Sequence, residues 1–343
     1  MTDKTIILHC GPHKTGSTYL QYELKKERQA LAQAGWTYPE YGVVQFSQQK
    51  IHSWLSGALN GDAEVNEETF RTLLSQHERL IISSEDFIYL THDQLIRLRN
   101  LLLGWRIQII LYIRSPVDLW PSHWQELIRH GWDITLLEYL ANHAAWLGPM
   151  DGKIMDPCIQ ARKFSEIFGR DSIRMFCYEN ILDGGNDLFR HFWDKILGIG
   201  TPAPAAEDRR INASQPGATI ELLRSLNELY IEQRHAAPRN RILAAFQKNK
   251  GIVEALPDYG DFLSFVDSKS STILLDSRQE FFQVRERRLM HEFGERIENT
   301  ESNSKLFSRQ FFQRRIPYMK RYWVDRFGYR PFIDEVLSLL NPA

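Results

Sequence analysis

The sequence has few cysteines, no long apolar run and no excess of charge of one sign. Its three cysteines, Cys10, Cys158 and Cys177, are too few and too scattered for a disulfide framework or a zinc site. No stretch of about 18 apolar residues occurs, so no membrane span is expected. The 42 Lys and Arg residues are balanced by 43 Asp and Glu residues. The broad basic face that nucleic-acid binding requires is therefore not expected.

The N-terminus also lacks the features of an export signal. Only a short apolar run over residues 5–10 follows the polar start. A signal peptide needs a longer apolar region and a cleavage site with small residues. Together with cysteines that we expect to be reduced, this pattern predicts a cytoplasmic protein. Hydrophobic residues make up 43% of the 343 residues and charged residues 25%, which excludes a disordered chain or a fibrous repeat.

Four short aliphatic runs in the first 180 residues predict buried strands: Thr5–Cys10, Leu80–Ser83, Ile107–Ile113 and Ile173–Tyr178. Their nearly continuous apolar character is typical of parallel strands that are buried on both faces. Helical patterns lie between these strands, over residues 17–34 and 116–129. The sequence therefore predicts an α/β fold with a P-loop-like parallel sheet flanked by helices.

The character of the chain changes after about residue 200. Residues 201–206, TPAPAA, resemble a linker. Beyond them no segment predicts a strand, and three segments predict amphipathic helices: Ile220–Gln233, Arg278–Glu298 and Arg314–Phe327. We therefore expect a core domain over residues 1–200 and a mainly helical C-terminal lobe over residues 201–343.

The segment between the first predicted strand and the first predicted helix has the features of an anion-binding loop. Gly11 and Gly16 allow backbone N–H groups to approach a ligand closely, and a helix N-terminus favours an anion. Lys14 adds a positive charge. Three hydroxyl groups can donate further hydrogen bonds: those of Thr15, Ser17 and Thr18. The sequence therefore predicts a phosphate-binding loop.

This loop does not have the order of a Walker A motif. Lys14 stands two residues before Gly16, whereas the motif places Lys directly after its second Gly, so that Lys reaches the terminal phosphates of a nucleotide. No Asp closes an apolar strand to hold Mg²⁺. These differences favour a nucleotide that binds without a triphosphate and without a metal. A P-loop kinase with an unusual loop and a catalytically silent nucleotide-binding protein remain alternatives.

A second candidate anion site follows the third predicted strand. Arg114 stands where this strand ends, and Pro116 is suited to the first turn of a helix. The planar guanidinium of arginine can bind a phosphate dianion with two parallel hydrogen bonds. Ser122, eight residues after Arg114, could donate a further bond. Pro121 predicts a kink or a late helix start near Ser122.

The two segments together resemble the cofactor signatures of sulfotransferases that use 3′-phosphoadenosine-5′-phosphosulfate (PAPS). The resemblance implies that Arg114 and Ser122 bind the 3′-phosphate. It also implies that one loop binds the 5′-phosphosulfate, through His13, Lys14, Thr15, Gly16, Ser17, Thr18 and Tyr19. Residues 176–180, FCYEN, resemble a strand end of the same family, where Tyr178 would lie near the adenine. The late Arg-Lys-Gly loop of the phenol and steroid enzymes is missing, so the pattern is closer to bacterial and carbohydrate sulfotransferases.

Sulfonate transfer requires charge stabilisation, in-line placement and a base for the acceptor proton. Lys14 is the natural partner of the departing phosphate oxygen. Related sulfotransferases carry a catalytic His or Glu at the strand end that corresponds to Glu85, which makes Glu85 the first candidate for the base. His13, which lies in the loop itself, and His52 are the alternatives.

The resemblance leaves the acceptor open. His52 and His123, the neighbour of Ser122, are candidates for binding it. We expect a hydroxyl or amine of a carbohydrate or small-molecule acceptor, and no metal cofactor. No motif in the C-terminal lobe identifies this acceptor, and nothing in the sequence indicates the oligomeric state.

Overall fold

The computed structural model describes residues 4–39, 55, 59, 67–145, 156–183, 187–200, 217–269, 271–276, 278–299, 313–320 and 323–340. Its main sheet has four strands: β1 (Thr5–His9), β2 (Arg79–Ser83), β3 (Arg106–Ile113) and β4 (Ile173–Cys177). All neighbouring pairs are parallel, and the order across the sheet is β2-β1-β3-β4. The predicted α/β fold with a parallel sheet is therefore confirmed.

The central strand β1 shows why these runs are nearly continuous in their apolar character. Ile6 and Leu8 are buried in one hydrophobic cluster with side chains of β2 and β3. Ile7, which points to the opposite face, is buried in a second cluster on the other side of the sheet. Successive residues of a strand face opposite ways. Helices cover both faces of this sheet. A strand in which polar and apolar residues alternate would therefore bury its polar side chains.

The described helices follow in chain order: α1 (Ser17–Lys26), α2 (Arg28–Gln33), α3 (Glu67–Gln76), α4 (His92–Leu101), α5 (Pro116–Arg129), α6 (Leu136–Ala145), α7 (Pro157–Phe168), α8 (Tyr178–Asp183), α9 (Leu188–His191), α10 (Gly217–Arg234), α11 (Arg241–Lys248), α12 (Lys250–Glu254), α13 (Pro257–Lys269), α14 (Glu280–Phe293), α15 (Trp323–Arg326) and α16 (Arg330–Leu340). Short 3₁₀ segments occur at Glu85–Tyr89, Arg170–Ser172 and Gly294–Arg296, and a π-helical turn at Phe192–Ile196.

The chain divides into two compact units, each assembled from several segments. The first unit consists of Met1–Ser115, Lys153–Ile211 and Phe281–Gln310, and it contains the parallel sheet. The second unit consists of Pro116–Gly152, Asn212–Glu280 and Phe311–Ala343. Helix α5 thus belongs to the second unit and almost all of α14 to the first, although their sequence positions suggest the reverse. A boundary between folding domains at residue 200 remains a prediction.

The second unit contains two strands that the sequence does not predict. β5 (Ser271–Asp276) and β6 (Gln313–Tyr318) form an antiparallel pair in which Thr272 lies opposite Pro317. The expectation of no strand after residue 200 is therefore wrong. The helix predicted over 314–327 is wrong where β6 lies, and the structure has a helix only over Trp323–Arg326 (α15). The two strands are far apart in sequence, so their pairing leaves no local signal. Proline is tolerated in such an edge pairing because it needs to donate no hydrogen bond there.

Two predicted helices differ in detail from the observed ones. The helix expected over residues 17–34 is interrupted at Glu27, which separates α1 from α2. Helix α5 begins at Pro116 and continues through Pro121, so the late start expected near Ser122 does not occur. Within the described ranges no helix combines the length and the apolar character needed to cross a membrane.

Candidate functional site

The candidate site lies at the carboxyl edge of the parallel sheet, within the first unit. β1 is followed there by the loop from Gly11 to Gly16, and β2 by the 3₁₀ turn Glu85–Tyr89. Arg114 directly follows β3, and Tyr178 directly follows β4. Parallel strands end at a common edge, which is where open α/β sheets bind ligands. The sheet therefore brings together residues that are up to 167 positions apart in the sequence, from Gly11 to Tyr178.

The loop after β1 presents an uncapped helix N-terminus. Gly16 is the N-cap of α1, has a φ of 78° and can offer no side chain to the first N–H groups of the helix. A Cβ atom at this position would lie 2.9 Å from Leu188 Cδ2 and 3.2 Å from Tyr178 Cε2. Glycine is thus required at position 16 by both conformation and space. The N–H groups of this helix end are available to an anion.

The hydroxyl of Thr15 stabilises the loop itself. Thr15 is fully buried, and its Oγ1 donates a hydrogen bond of 2.7 Å to the carbonyl of Pro12. Of the other two hydroxyls in the predicted cofactor loop, Ser17 is buried and Thr18 is half-buried. Tyr19 packs on the hydrophobic cluster behind the loop, and its hydroxyl lies beside the Asp187 carboxylate. Burial and this carboxylate raise the pKa of Tyr19.

Arg114 is bound directly to the loop. Its Nη1 donates a hydrogen bond of 2.8 Å to the backbone carbonyl of Lys14, whose φ of 66° lies in the left-handed region. Its Nε lies 3.6 Å from Glu179 Oε1. The same Glu179 oxygen accepts a hydrogen bond of 3.2 Å from the backbone N–H of Ser115. Arg114 is therefore held in a defined position while its guanidinium stays partly exposed.

Sequence reasoning missed Glu179 as the residue that orients Arg114. Glu179 is buried at the start of α8, next to Tyr178. A carboxylate directly after a buried strand, at the same sheet edge as an arginine, was the signal that could have identified it. A buried carboxylate usually has a cationic or hydrogen-bonding partner.

The ring of Tyr178 lies between the loop and Arg114. The guanidinium carbon of Arg114 is 5.5 Å from the centre of this ring, which is within the range of a cation–π contact. The ring edge also lies close to Gly16, since a Cβ atom at position 16 would be 3.2 Å from Tyr178 Cε2. Burial raises the pKa of Tyr178, so its hydroxyl stays protonated at neutral pH. The structure thus brings together Gly16, Arg114 and Tyr178.

A second group at the same edge consists of His13 and the turn after β2. His13 Nδ1 lies 3.7 Å from Glu85 Oε1, and His13 Nε2 lies 3.7 Å from Asp86 Oδ1. The imidazole also packs against the ring of Tyr89, with 5.4 Å between the ring centres. The backbone and Cβ of Glu85 lie close to Gly11. Two candidates for the base, His13 and Glu85, are therefore neighbours.

The two carboxylate oxygens of Glu85 have different surroundings. Oε1 faces His13, whereas Oε2 is buried without a hydrogen-bond donor among the described residues. Buried carboxylate oxygens nearly always have such a donor, so an exception calls for an explanation.

His9 lies beneath the loop and belongs to the framework rather than to the reacting groups. It is fully buried, and its Nδ1 is 2.7 Å from Ser83 Oγ, at the end of the neighbouring strand. Burial lowers the pKa of His9 to about 3, so the ring is neutral under ordinary conditions. It joins the ends of β1 and β2, the two strands from which the loop and the Glu85 turn start.

The remaining predicted site residues have other surroundings. Ser122 and His123 lie on α5 in the second unit, where the Ser122 hydroxyl donates to the Asp118 carbonyl and His123 Nδ1 lies 2.8 Å from the Tyr139 hydroxyl. Their predicted roles in binding the 3′-phosphate and the acceptor remain predictions. His52 lies outside the described residues.

Comparison with known proteins gives one distant structural similarity. The chain matches no family model and no curated protein. Among solved structures, a sulfotransferase from Alicyclobacillus acidocaldarius is similar to it, with 15% sequence identity and a TM-score of 0.39. The matched region covers 60% of this chain and 86% of the other.

Proposed function

We propose that this protein is a sulfotransferase that moves a sulfonate group from PAPS to a hydroxyl or amine of a carbohydrate or small-molecule acceptor. One observation carries the proposal: Arg114 Nη1 is hydrogen-bonded to the Lys14 carbonyl at 2.8 Å. This contact joins two predicted anion sites into one, and the Tyr178 ring lies against both. A nucleotide with phosphates at two positions would use such a pair of sites.

The residues at the sheet edge fit this nucleotide. The uncapped N-terminus of α1 suits the 5′ phosphosulfate, because its N–H groups lack a side-chain acceptor at Gly16. The partly exposed guanidinium of Arg114 suits the 3′-phosphate, since it is fixed in place by Lys14 and Glu179. Tyr178 offers an aromatic surface for the adenine.

The chain's own residues would divide the chemical work between two groups. When bound, PAPS supplies a sulfonate attached to a phosphate leaving group. The Lys14 ammonium would hold the negative charge that develops on the phosphate side of the loop. Glu85 Oε2 would accept the proton of the acceptor, since this oxygen is buried and has no donor among the described residues. His13, 3.7 Å from the other Glu85 oxygen, would orient the carboxylate.

The nucleotide can be tested by calorimetry in EDTA. We expect the product nucleotide 3′-phosphoadenosine-5′-phosphate (PAP) to bind more tightly than ATP, because the two anion sites match two separate phosphate positions. A tight complex with ATP that forms only with Mg²⁺ would contradict the proposal and favour a P-loop kinase. Removal of metal ions by EDTA should leave PAP binding unchanged.

The transfer reaction needs a separate test. Sulfur-labelled PAPS should be incubated with metabolite and polysaccharide extracts, and the labelled product identified by mass spectrometry. Transfer of the label would support the enzyme and name its acceptor. Binding of PAP without transfer to any fraction would favour a silent nucleotide-binding protein instead.

A further inference from the structure

Lys163, on helix α7, makes its hydrogen bonds with a single short segment. Its Nζ donates to the Ile88 carbonyl at 2.5 Å and to the Leu90 carbonyl at 3.1 Å. Its ammonium also lies over the ring of Phe164. Lys163 is 75 and 73 residues distant in sequence from the two acceptors, so the contact depends on the tertiary fold.

The segment that Lys163 binds is the end of the turn Glu85–Tyr89. The carbonyls at the end of a short helix lack partners within it, and a cation there is favourable. Ile88 and Leu90 are themselves buried, so water does not readily replace the ammonium. Lys163 therefore satisfies backbone acceptors that would otherwise be left without a donor.

The two backbone hydrogen bonds that join the turn to its flanking residues Ser84 and Leu90 are long. The N–H of Phe87 lies 3.5 Å from the Ser84 carbonyl, and the N–H of Leu90 lies 3.3 Å from the Phe87 carbonyl. Both distances exceed the usual range of such bonds, about 2.7–3.2 Å. At its other end the turn is fixed by the Ser84 hydroxyl, which accepts a hydrogen bond from the Asp86 N–H. Both bonds from Lys163, at 2.5 and 3.1 Å, are shorter than these three.

The same turn carries the groups that face the anion loop. Glu85 and Asp86 each lie 3.7 Å from a nitrogen of His13, and Tyr89 packs on its ring. A small rotation of the turn would move all three side chains together. The position of the Glu85 carboxylate therefore depends on a contact made at the far end of the turn.

Burial disfavours the charged form of Lys163, so an ammonium that made no hydrogen bonds would be unfavourable at this position. It lowers the pKa of Lys163 to about 8, and the titratable group that faces it is the buried Cys10 thiol. No carboxylate among the described residues pairs with Lys163. The desolvation of an ammonium is offset here by the two carbonyls of the turn.

We propose that Lys163 is a positioning residue that fixes the Glu85–Tyr89 turn, and with it the Glu85 carboxylate, against His13 of the anion loop. This role rests on the proposed sulfonate transfer. A displacement of a reacting group by about 1 Å costs on the order of 10²-fold in rate. We expect Lys163→Met to lower the transfer rate on that scale while PAP affinity stays as in the wild type.

The experiment compares Lys163→Met with Lys163→Arg and with Lys4→Met. Lys163→Arg keeps the charge and the donors and should restore part of the rate. Lys4 is the matched control, because its Nζ also donates to a carbonyl, that of Leu74, and it precedes β1 at the opposite edge of the sheet. Hydrogen exchange of amides 86–90, PAP calorimetry and the transfer of label from PAPS into extract are measured for each.

Faster exchange over residues 86–90 and slower transfer in Lys163→Met, with neither change in Lys4→Met, would support the proposal. Wild-type exchange in this segment, or an equal loss of transfer in Lys4→Met, would overturn it. If Lys163→Met does not fold, Lys163→Gln gives the same comparison. A wild-type chain that transfers no sulfonate contradicts the proposed function, whereas equally fast transfer by wild type and Lys163→Met contradicts the positioning role alone.

Discussion

Two of the arginine–glutamate groups among the described residues differ in character. In the second unit, Arg224 and Glu221 on α10 are both fully buried, with 2.7 Å between Nε and Oε2, and Arg224 Nη1 lies 2.9 Å from Glu228 Oε2. In the first unit, Arg114 is partly exposed, and its Nε lies 3.6 Å from Glu179 Oε1. The closed group stabilises the fold, whereas the looser group keeps part of its cation available for a ligand.

The closed group also satisfies the backbone around it. Glu221 Oε1 accepts a hydrogen bond of 3.0 Å from the N–H of Met319, and Arg224 Nη1 reaches the Asp133 carbonyl. Helix α10 packs against α5, α13, α16 and β6, so this ion group lies at the centre of the second unit. Full burial, short distances and backbone partners together indicate a structural role. Of the four tests below, the second and third ask whether the two groups differ in the way that this contrast predicts.

The largest effect is expected at the Glu85 carboxylate of the site. Glu85→Gln should keep the fold and the PAP affinity but lower turnover about 10²–10⁴-fold, because a positioned base contributes that much. The rate of label transfer from PAPS, with PAP calorimetry beside it, provides the measurement. Asp86→Asn is the matched control, since Asp86 lies equally close to His13 but its change leaves the Glu85 carboxylate in place. Near-normal turnover in Glu85→Gln would move the role of base to His13 or His52.

The second test removes the arginine of the closed group. Arg224→Ala leaves the buried Glu221 without its cation, and breaking a buried pair in this way costs about 3–5 kcal/mol. Denaturant unfolding should show that loss in Arg224→Ala. The same measurement on Arg114→Ala should show little change, because Arg114 is partly exposed. Similar losses of stability in the two variants would remove the distinction between a structural and a ligand-binding arginine.

The third test measures ligand affinity at Arg114. A charge-assisted hydrogen bond contributes roughly 1.5–3 kcal/mol, so Arg114→Ala should weaken PAP binding at least about tenfold. The affinity for 5′-AMP, which lacks the 3′-phosphate, should hardly change. Calorimetry with both nucleotides distinguishes the two cases. Equal losses for PAP and 5′-AMP would show that Arg114 supports the loop and does not bind the 3′-phosphate.

The smallest effect is expected for the pH dependence of stability, which involves two histidines of the first unit, His9 and His191. Burial lowers the pKa of His9 to about 3, and burial with the nearby Arg174 charge lowers that of His191 to about 4. A histidine in the unfolded chain has a pKa near 6.5, so the unfolded state binds more protons below that pH. The stabilisation from keeping these rings neutral is complete above about pH 6.5 and is lost as the pH falls towards the folded-state values.

Each of these histidines should therefore contribute about 1.4 kcal/mol of unfolding free energy per pH unit between about pH 6.5 and 4. His9→Asn should remove one such contribution and flatten the dependence of stability on pH. Unfolding at pH 8, where both rings are neutral in both states, gives the cost of the substitution itself. An unchanged slope in His9→Asn would show that His9 does not resist protonation in the folded protein.

The parallel sheet could be predicted from sequence because each strand is a short run of nearly continuous apolar residues. β1 has buried apolar side chains on both faces, as Ile6 and Ile7 show. Consecutive apolar residues in the sequence therefore indicate such a strand. β5 and β6 leave no such signal. Their pairing depends on contacts across a long stretch of chain, and Pro317, next to the last residue of β6, argues locally against a strand.

The candidate site also contains residues that could be predicted from the sequence and residues that could not. The loop around Lys14 and the guanidinium of Arg114 could be identified because glycine, charge and strand ends coincide within short segments. Lys163 could not, since an ammonium acquires its role only from the neighbours that the fold brings to it. Glu179 carries a local signal, a carboxylate directly after a buried strand, but its role beside Arg114 becomes visible only in the structure. Arg114 meets the Lys14 carbonyl across 100 positions of sequence. Spacing in the sequence carries no record of such a contact.

The hydrogen bond between Arg114 and the Lys14 carbonyl affects which residues position 14 can carry as the sequence evolves. Arg114 binds a main-chain atom at position 14, and the bond depends on the left-handed conformation there. The ammonium of Lys14 plays no part in it. Under the proposed function, the geometry of the nucleotide site would depend on the backbone of position 14, and turnover would depend on its side chain. Asparagine and glycine, which accept this conformation, could separate the two properties by keeping the bond while discarding the charge.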